Sequence, residues 1–292
     1  MILVTAANGN QGKRLIPRLV AAGGELRACV RSDESARALR AAGVSDVLLG
    51  DLSDPAVLAR AVRGVETVYY VGPALHPDER ATGFAAVDAA KRAGVTHFVF
   101  SSVLHAIITD LIQHEIKRDI EEYLVSSGLE FTILQPANYM LRHRLIPAFE
   151  DAAFRLSWSL DRYQSMVDVD DVAQVAATVL ADPARHAGAT YELVAPGRYT
   201  AYDLARVISG VTGREVAAEK IDAMVFLKAS LGVENLHEVP YQAEVLRAIS
   251  ARYSSHDFIG NPNVLTWLLG RRPTTFEEFV RREFRAIQNQ TE

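Results

Sequence analysis

The chain opens with an apolar run, Ile2-Leu3-Val4, then a glycine-spaced turn, Thr5-Ala6-Ala7-Asn8-Gly9-Asn10-Gln11-Gly12, then an amphipathic segment from Lys13 to Val20. Gly9 and Gly12 let the backbone approach a ligand where a Cβ would clash. The first turn of the helix that follows offers unpaired N–H groups and a partial positive charge, a combination that suits phosphate. The chemistry expected of Thr5, Ala7, Asn8, Gly9, Asn10, Gln11 and Gly12 is therefore the holding of a dinucleotide pyrophosphate. Ala6 stands where the spacing GxxGxxG would place its first glycine. On this reading Gly9→Val or Gly12→Val abolishes binding and leaves the protein folded. A bare strand-to-helix turn would read the same way, so the continuation matters.

A second apolar run, Glu25–Val30, closes on Arg31-Ser32. A site for NAD usually carries a carboxylate at the end of this strand to receive the adenosine ribose hydroxyls. Val30 holds that place, and Arg31 follows it. A guanidinium there can grip a 2′-phosphate through paired, charge-assisted hydrogen bonds, with Lys13 and Arg14 adding charge. Asp33, two residues on, is the alternative ribose acceptor. The expected cofactor is NADP(H), ahead of NAD(H).

Ligands of a doubly wound sheet lie at the carboxyl ends of its strands, so residues just past each strand are candidates. These are Asp51 and Leu52, Val71, Gly72 and Pro73, Ser101 and Ser102, and Pro136 and Asn138, followed by Tyr139. The sharpest cluster is Gln113-His114-Glu115-Ile116-Lys117. His114 and Lys117 stand at i and i+3, and Gln113 and Lys117 at i and i+4, so each pair shares a helix face. A lysine aimed from there at the strand ends would anchor the nicotinamide ribose. A solvated lysine beside a core histidine is the plain alternative.

These residues need elements to position them. Strand patterns recur at Val44–Leu49, Glu66–Val71, Thr96–Ser101 and Glu130–Gln135. Helical patterns lie between them at Pro55–Val62, 77–92 and Asp110–Ser126, the last stopped by Gly128. Near-continuous apolar strands separated by helices predict an α/β fold, a doubly wound Rossmann parallel sheet covered on both faces. Val167–Asp171 is expected to start a helix, and Thr190–Val194 to return as one more strand. Helical patterns then follow at Ala201–Thr212, Ala223–Leu231, Tyr241–Ser250 and Thr275–Ala286. The expected organisation is a nucleotide-binding core over residues 1–155, joined by the strand near 190–194, and a mainly helical C-terminal subdomain over 156–292. That subdomain is expected to cover the nicotinamide end and shape the substrate pocket.

Composition narrows the function. Acidic residues outnumber basic ones, 36 to 31, which gives no electrostatic footprint for nucleic acid or an anionic membrane. With 49% hydrophobic residues the 292-residue chain can bury a large core. The single Cys29 cannot form an internal disulfide and fits a reduced, cytoplasmic setting. The first strand starts at residue 2, so no signal peptide is expected, and the apolar runs are too short to cross a membrane. HExxH, CxxC and clustered carboxylates are missing from the sequence, so no metal is expected.

With these residues laid out, the chain resembles the NmrA-like group of atypical short-chain dehydrogenase/reductases along nearly its whole length. The resemblance rests on Thr5–Gly12, Val30-Arg31, Gly50-Asp51-Leu52 and Ser101-Ser102-Val103. Its most specific part is the block His114-Glu-Ile-Lys117, Glu121 and Ser127-Gly-Leu-Glu-Phe-Thr-Ile-Leu-Gln-Pro-Ala-Asn-Tyr-Met140. It implies an NAD(P)-binding fold, usually for NADPH, in a group whose members reduce quinones, dyes or other activated acceptors. Other members bind the dinucleotide as redox sensors. By this resemblance Lys117 matches the lysine on the nicotinamide side.

Gln113 stands where standard short-chain enzymes carry the tyrosine of YxxxK. An amide cannot deliver the proton that carbonyl reduction needs. Acceptors that need little proton help, such as quinones, dyes or enones, fit better. His114, His105 and Tyr139 are the substitute donors, so the catalytic candidates are Lys117, His114 and Tyr139. The expected partner is a small-molecule substrate, with a homodimer or protein partner left open. Two functions stand: an NADPH-dependent reductase, and a non-catalytic NADP(H) sensor that binds a partner according to redox state.

Overall fold

The computed structural model describes residues 1–291. In chain order its elements begin β1 (Ile2–Val4), α1 (Gly12–Ala21), β2 (Leu26–Val30), α2 (Asp33–Ala41), β3 (Asp46–Leu49), α3 (Pro55–Ala61), β4 (Thr67–Val71), α4 (Glu79–Arg92), β5 (His97–Ser101), α5 (Ile112–Ser126) and β6 (Glu130–Pro136). They continue with β7 (Asn138–Met140), α6 (Arg142–Glu150), β8 (Ala153–Leu156), β9 (Met166–Asp168), α7 (Val169–Ala181), β10 (Ala189–Leu193), α8 (Ala201–Thr212), β11 (Ala217–Lys220), α9 (Ala223–Leu231), α10 (Pro240–Ser255), α11 (Asn263–Leu269) and α12 (Phe276–Thr291). They fall into two compact units. The first comprises residues 1–108, 113–136 and 169–193, and the second residues 109–112, 137–168 and 194 onward.

The first unit is an all-parallel, seven-stranded sheet in the order β10-β6-β5-β4-β1-β2-β3. This is the doubly wound order with β10 added beyond β6. The order reverses between β1 and β4, where a crevice opens at the carboxyl ends. Val4, the last residue of β1, lies opposite both Ala28 and Tyr69, so β2 and β4 run on together two residues past it, to Val30 and Val71. All five residues of β5 are buried, as expected of a strand covered on both faces. Helix starts follow local chemistry: Ser32 accepts from the Ser35 amide ahead of α2, and Asp54 accepts from the Ala56 amide with Pro55 in the first turn of α3. Arg14 and Arg18 of α1 each lie 3.5 Å from Asp170, tying α1 to α7.

The second unit is built from two two-stranded parallel pairs, β7 with β9 and β8 with β11, and from helices. Two readings of the sequence change here. Val167 does not open a helix. Met166–Asp168 is a buried strand and α7 begins at Val169, because Val167 pairs with Tyr139 instead of starting a helical turn. The stretch near 139–165, where the sequence pattern marks no element, holds most of β7 together with α6 and β8, each nine residues or fewer. Segments that short carry little periodicity. α8 has a reciprocal cap between Thr200 and Asp203 and ends on Gly213 in the left-handed conformation. No helix among the described residues is long and apolar enough to cross a membrane, and no cluster among them would hold a metal ion.

Candidate functional site

The turn after β1 is stiff. Ala6 takes the left-handed conformation (φ 47°), which costs a side chain about 1–2 kcal/mol and which glycine would adopt freely. Its carbonyl accepts from the Gly9 amide at 2.8 Å. Gly12 has no room for any side chain, because a Cβ there would fall deep inside contact with the Ala7 carbonyl. The expectation that Gly12→Val stays folded is therefore corrected: Gly12 is required for α1 to pack on the turn. Gly9 differs, since a Cβ there would meet only the Ala6 carbonyl oxygen at 3.1 Å. Thr5 Oγ1 accepts from the Val71 amide (2.8 Å), fixing the end of β1 to the end of β4.

A cleft of about 380 Å³ opens at these strand ends. Of the expected cofactor residues, Thr5, Asn8, Gly9, Arg31, Asp51, Leu52, Val71, Gly72 and Pro73 line it. Ala7, Asn10, Gln11, Gly12, Ser101, Ser102, Lys117, Pro136 and Asn138 do not. Val30 faces the cleft where an acidic residue would stand, and Arg31 extends at its rim with its side chain 80% exposed and Nη1 4.0 Å from Asp51 Oδ2. The Ser53 amide donates to Asp51 Oδ1 (2.9 Å), and with Arg31 and His76 nearby this holds the Asp51 carboxyl below the ordinary carboxylate value. Beside Arg31, Asn8 Nδ2 donates to Ser35 Oγ at 3.0 Å and Ser32 Oγ donates to the same atom at 2.9 Å.

Sequence reasoning missed Tyr70 and His76, which also line the cleft. The Tyr70 phenol is buried without a hydrogen-bond partner among the described residues, and burial, with Glu79 nearby, raises its pKa well above normal. Alternating strand residues gave no way to tell which of Tyr69 and Tyr70 would face a ligand. Tyr69 instead donates to Gln11 Oε1, and Gln11 Nε2 donates to Ser101 Oγ (2.8 Å). Gln11 and Ser101 thus brace α1 against the sheet.

Lys117 is 6% exposed, and its Nζ lies 2.6 Å from Glu79 Oε1 and 5.3 Å from the Phe100 ring centroid. Glu79, in the first turn of α4, is 1% exposed. No sequence pattern links it to Lys117; the sheet brings α4 and α5 together. Gly72 separates this pair from the cleft, for a Cβ on it would come 3.0 Å from Glu79 Oε1 and 3.3 Å from Lys117 Nζ. His114 is buried and its Nδ1 hydrogen-bonds the His105 carbonyl at 3.0 Å, anchoring the loop after β5, in which His105 itself has φ 55°. Ser102 donates to Glu121, whose two oxygens also accept from Gln135 Nε2 at 2.9 and 3.0 Å. Burial raises the Glu121 pKa, and the network docks α5 on β6.

The second unit has a cavity of its own, about 210 Å³, and it takes up Asn138 and Tyr139. Its wall also holds Arg144, Trp158 and Gln164, none of which sequence reasoning singled out. They come from α6 and the stretch before β9, where the sequence offered no motif.

Comparison with known proteins agrees with this geometry. The sequence matches the NmrA-like family over residues 1–280. An NAD(P)H azoreductase from Xenophilus azovorans is 28% identical over 288 residues, covering 96% of this chain and 97% of that protein. The crystal structure of an NADPH-dependent quinone oxidoreductase from Escherichia coli aligns with TM-score 0.79 at 27% identity, over 97% of this chain and 100% of the other. The triphenylmethane reductase of Citrobacter sp., solved with NADP(H), aligns with TM-score 0.80 at 25% identity, over 97% and 100%. With its glycine turn, its parallel sheet order and a family match that spans both units, the chain belongs to the NmrA-like family.

Proposed function

We propose that this protein is an NADPH-dependent reductase of a small activated acceptor of the quinone, dye or enone type. The observation that carries the reading is the cleft of the first unit. It gathers the glycine turn, a strand end without a carboxylate, an exposed Arg31 and the Gly72 backbone at one place. These residues fit the dinucleotide: Thr5, Asn8 and Gly9 would take the pyrophosphate, Arg31 with Ser32 and Ser35 the 2′-phosphate, and Val71–Pro73 the adenosine side. Bound there, the dinucleotide supplies a hydride. Relatives that reduce azo compounds, quinones and triphenylmethane dyes support the acceptor class.

The chain's own groups set the limits of the chemistry. Gln113 has no proton to deliver as a phenol would, which favours acceptors whose reduced form is stabilised without one. Lys117, ion-paired with Glu79 beside Gly72 and outside the cleft lining, would act on the cofactor through the position of the Val71–Pro73 backbone. His114 holds the loop after β5, and Tyr139, which lines the second unit's cavity, is the phenol we propose to serve an acceptor bound there. The C-terminal half supplies the acceptor pocket.

The test is loss of NADPH absorbance against a panel of quinones, azo and triphenylmethane dyes and enones. Turnover with NADPH well above that with NADH is expected. Arg31→Ala should weaken NADPH by about tenfold to a hundredfold, the 1.5–3 kcal/mol of a hydrogen bond to a charged group, and leave NADH nearly unchanged. Equal losses for both would end the phosphate-clamp reading. Binding without turnover on any acceptor would leave the redox sensor as the function.

A further inference from the structure

The cavity of the second unit presents a cation and two N–H donors that no acceptor among the described residues satisfies. Trp158 and Gln164 are 6% and 4% exposed, yet the indole Nε1 and Gln164 Nε2 have no hydrogen-bond partner, and neither does the sealed Nε of Arg144. Gln164 is pinned in place: its amide donates to the Tyr199 carbonyl (2.8 Å) and its carbonyl accepts from the Tyr199 amide (3.0 Å). Its side-chain oxygen is engaged by Asn138 Nδ2 (2.8 Å), and the oxygen of Asn138 accepts from the Tyr253 hydroxyl (3.3 Å). This relay leaves the Gln164 NH₂ as the terminal donor at the cavity.

Arg144 has aromatic rings for company instead of a counter-ion. Its guanidinium carbon lies 5.6 Å from the Trp158 ring and 5.9 Å from that of Phe226. No carboxylate among the described residues lies within ion-pair distance of it, whereas Arg282 of the same unit is paired with Asp168 at 2.6 Å. Burial pulls the Arg144 pKa below its ordinary value, the mark of a cation short of compensation. Leu145, Phe154, Leu156, Met166, Phe276 and Phe279 make most of the remaining wall apolar, with Asn138 and Tyr139 its other polar members. Buried donors are rarely left unpaired in native proteins, and a guanidinium withdrawn from water is best offset by a planar or forked anion.

We infer that this cavity binds an aromatic molecule bearing one anionic terminus, a carboxylate or sulfonate, with the anion received by Arg144, Trp158 Nε1 and Gln164 Nε2 and the ring by the apolar walls. As a statement about the acceptor it deepens the reductase reading and rests on it. The same cavity should reject cationic aromatic molecules, because Arg144 repels them, so among the dyes of the panel anionic ones, and not cationic triphenylmethanes, are the expected acceptors.

Isothermal titration calorimetry on the full chain tests the site without any turnover. The probes are 4-ethylbenzoate, 4-ethylbenzenesulfonate, 4-ethylbenzyl alcohol, 4-ethylbenzylammonium and inorganic sulfate. At least one of the two aromatic anions should bind ten times or more tighter than the alcohol, with no heat from the ammonium and little from sulfate. Gln164→Glu keeps the oxygen that meets Asn138 and supplies Arg144 with an internal carboxylate. It should weaken the anions at least tenfold and leave the alcohol within about twofold. Arg144→Met, checked for folding by its circular dichroism melt, should abolish the anion preference as well. Equal binding of anion and alcohol, sulfate binding as tightly as the aromatic anions, or an anion preference that survives both substitutions would overturn the inference, as would no binding of any probe at millimolar concentration. Failure of the reductase reading shows separately, as absence of turnover on every acceptor.

Discussion

Lys117 shows how burial changes the meaning of a residue. In the sequence it reads as an ammonium that anchors the nicotinamide ribose, whose removal is expected to lower turnover strongly and weaken NADPH only modestly. In the structure it shares a nearly dry site with Glu79 at 2.6 Å. Removing one partner of such a pair strands the other's charge, at about 3–5 kcal/mol, whereas apolar replacement of both is close to neutral. Lys117→Ala should therefore unfold at markedly lower denaturant concentration than the native chain. Lys117→Met combined with Glu79→Leu should recover most of that loss. If the double variant is stable and still turns over acceptor at the native rate, Lys117 has no part in orienting the cofactor. Should Lys117→Ala prove as stable as the native chain, the ion pair is not a structural element.

At the scale of elements, the glycine turn separates packing from binding. Gly12→Val would drive a side chain into the Ala7 carbonyl and prevent α1 from docking, so it should yield little folded protein. Gly9→Val meets a single oxygen at 3.1 Å and should fold, while losing NADPH and NADH alike. Gly9→Val that folds and binds normally would reduce the turn to a connector. The far edge of the sheet makes a prediction about pH. His97 on β5 donates from Nε2 to Thr132 Oγ1 (2.9 Å), and Thr132 donates to the His186 carbonyl (2.8 Å) next to β10. Burial lowers the His97 pKa from its ordinary 6.5, and His186 shifts the same way. The unfolded chain then takes up protons first as pH falls, so this stability is complete above about 6.5 and declines below it. The melting temperature should fall on acidification from about pH 7 to about pH 5, and His97→Gln should flatten that slope in part. An unchanged slope in the variant would clear His97 of the effect.

On the scale of the whole molecule, a ligand that binds only the native state stabilises it by mass action. NADPH at a hundred times its dissociation constant should add about 2.7 kcal/mol to unfolding, with NADH at the same concentration adding distinctly less. Equal shifts for the two would contradict the cofactor preference. The sequence by itself determined the strand–helix alternation, the glycine turn, the missing carboxylate at Val30 and the family, because each is a local pattern within one or two elements. Nine of the eighteen expected cofactor residues, Thr5 through Pro73, line one cleft, since each ends or follows a strand whose carboxyl end the parallel sheet brings to the same side. The tertiary structure alone decided the rest. Whether Ser101, Ser102, Gln11 and His114 face a ligand or brace the fold depends on partners in other elements or loops: Tyr69, Glu121 and the His105 carbonyl. Glu79 beside Lys117, and Arg144 beside Trp158 with Gln164 in the same cavity wall, are juxtapositions of residues with no common period, made by packing and therefore invisible until the chain is folded.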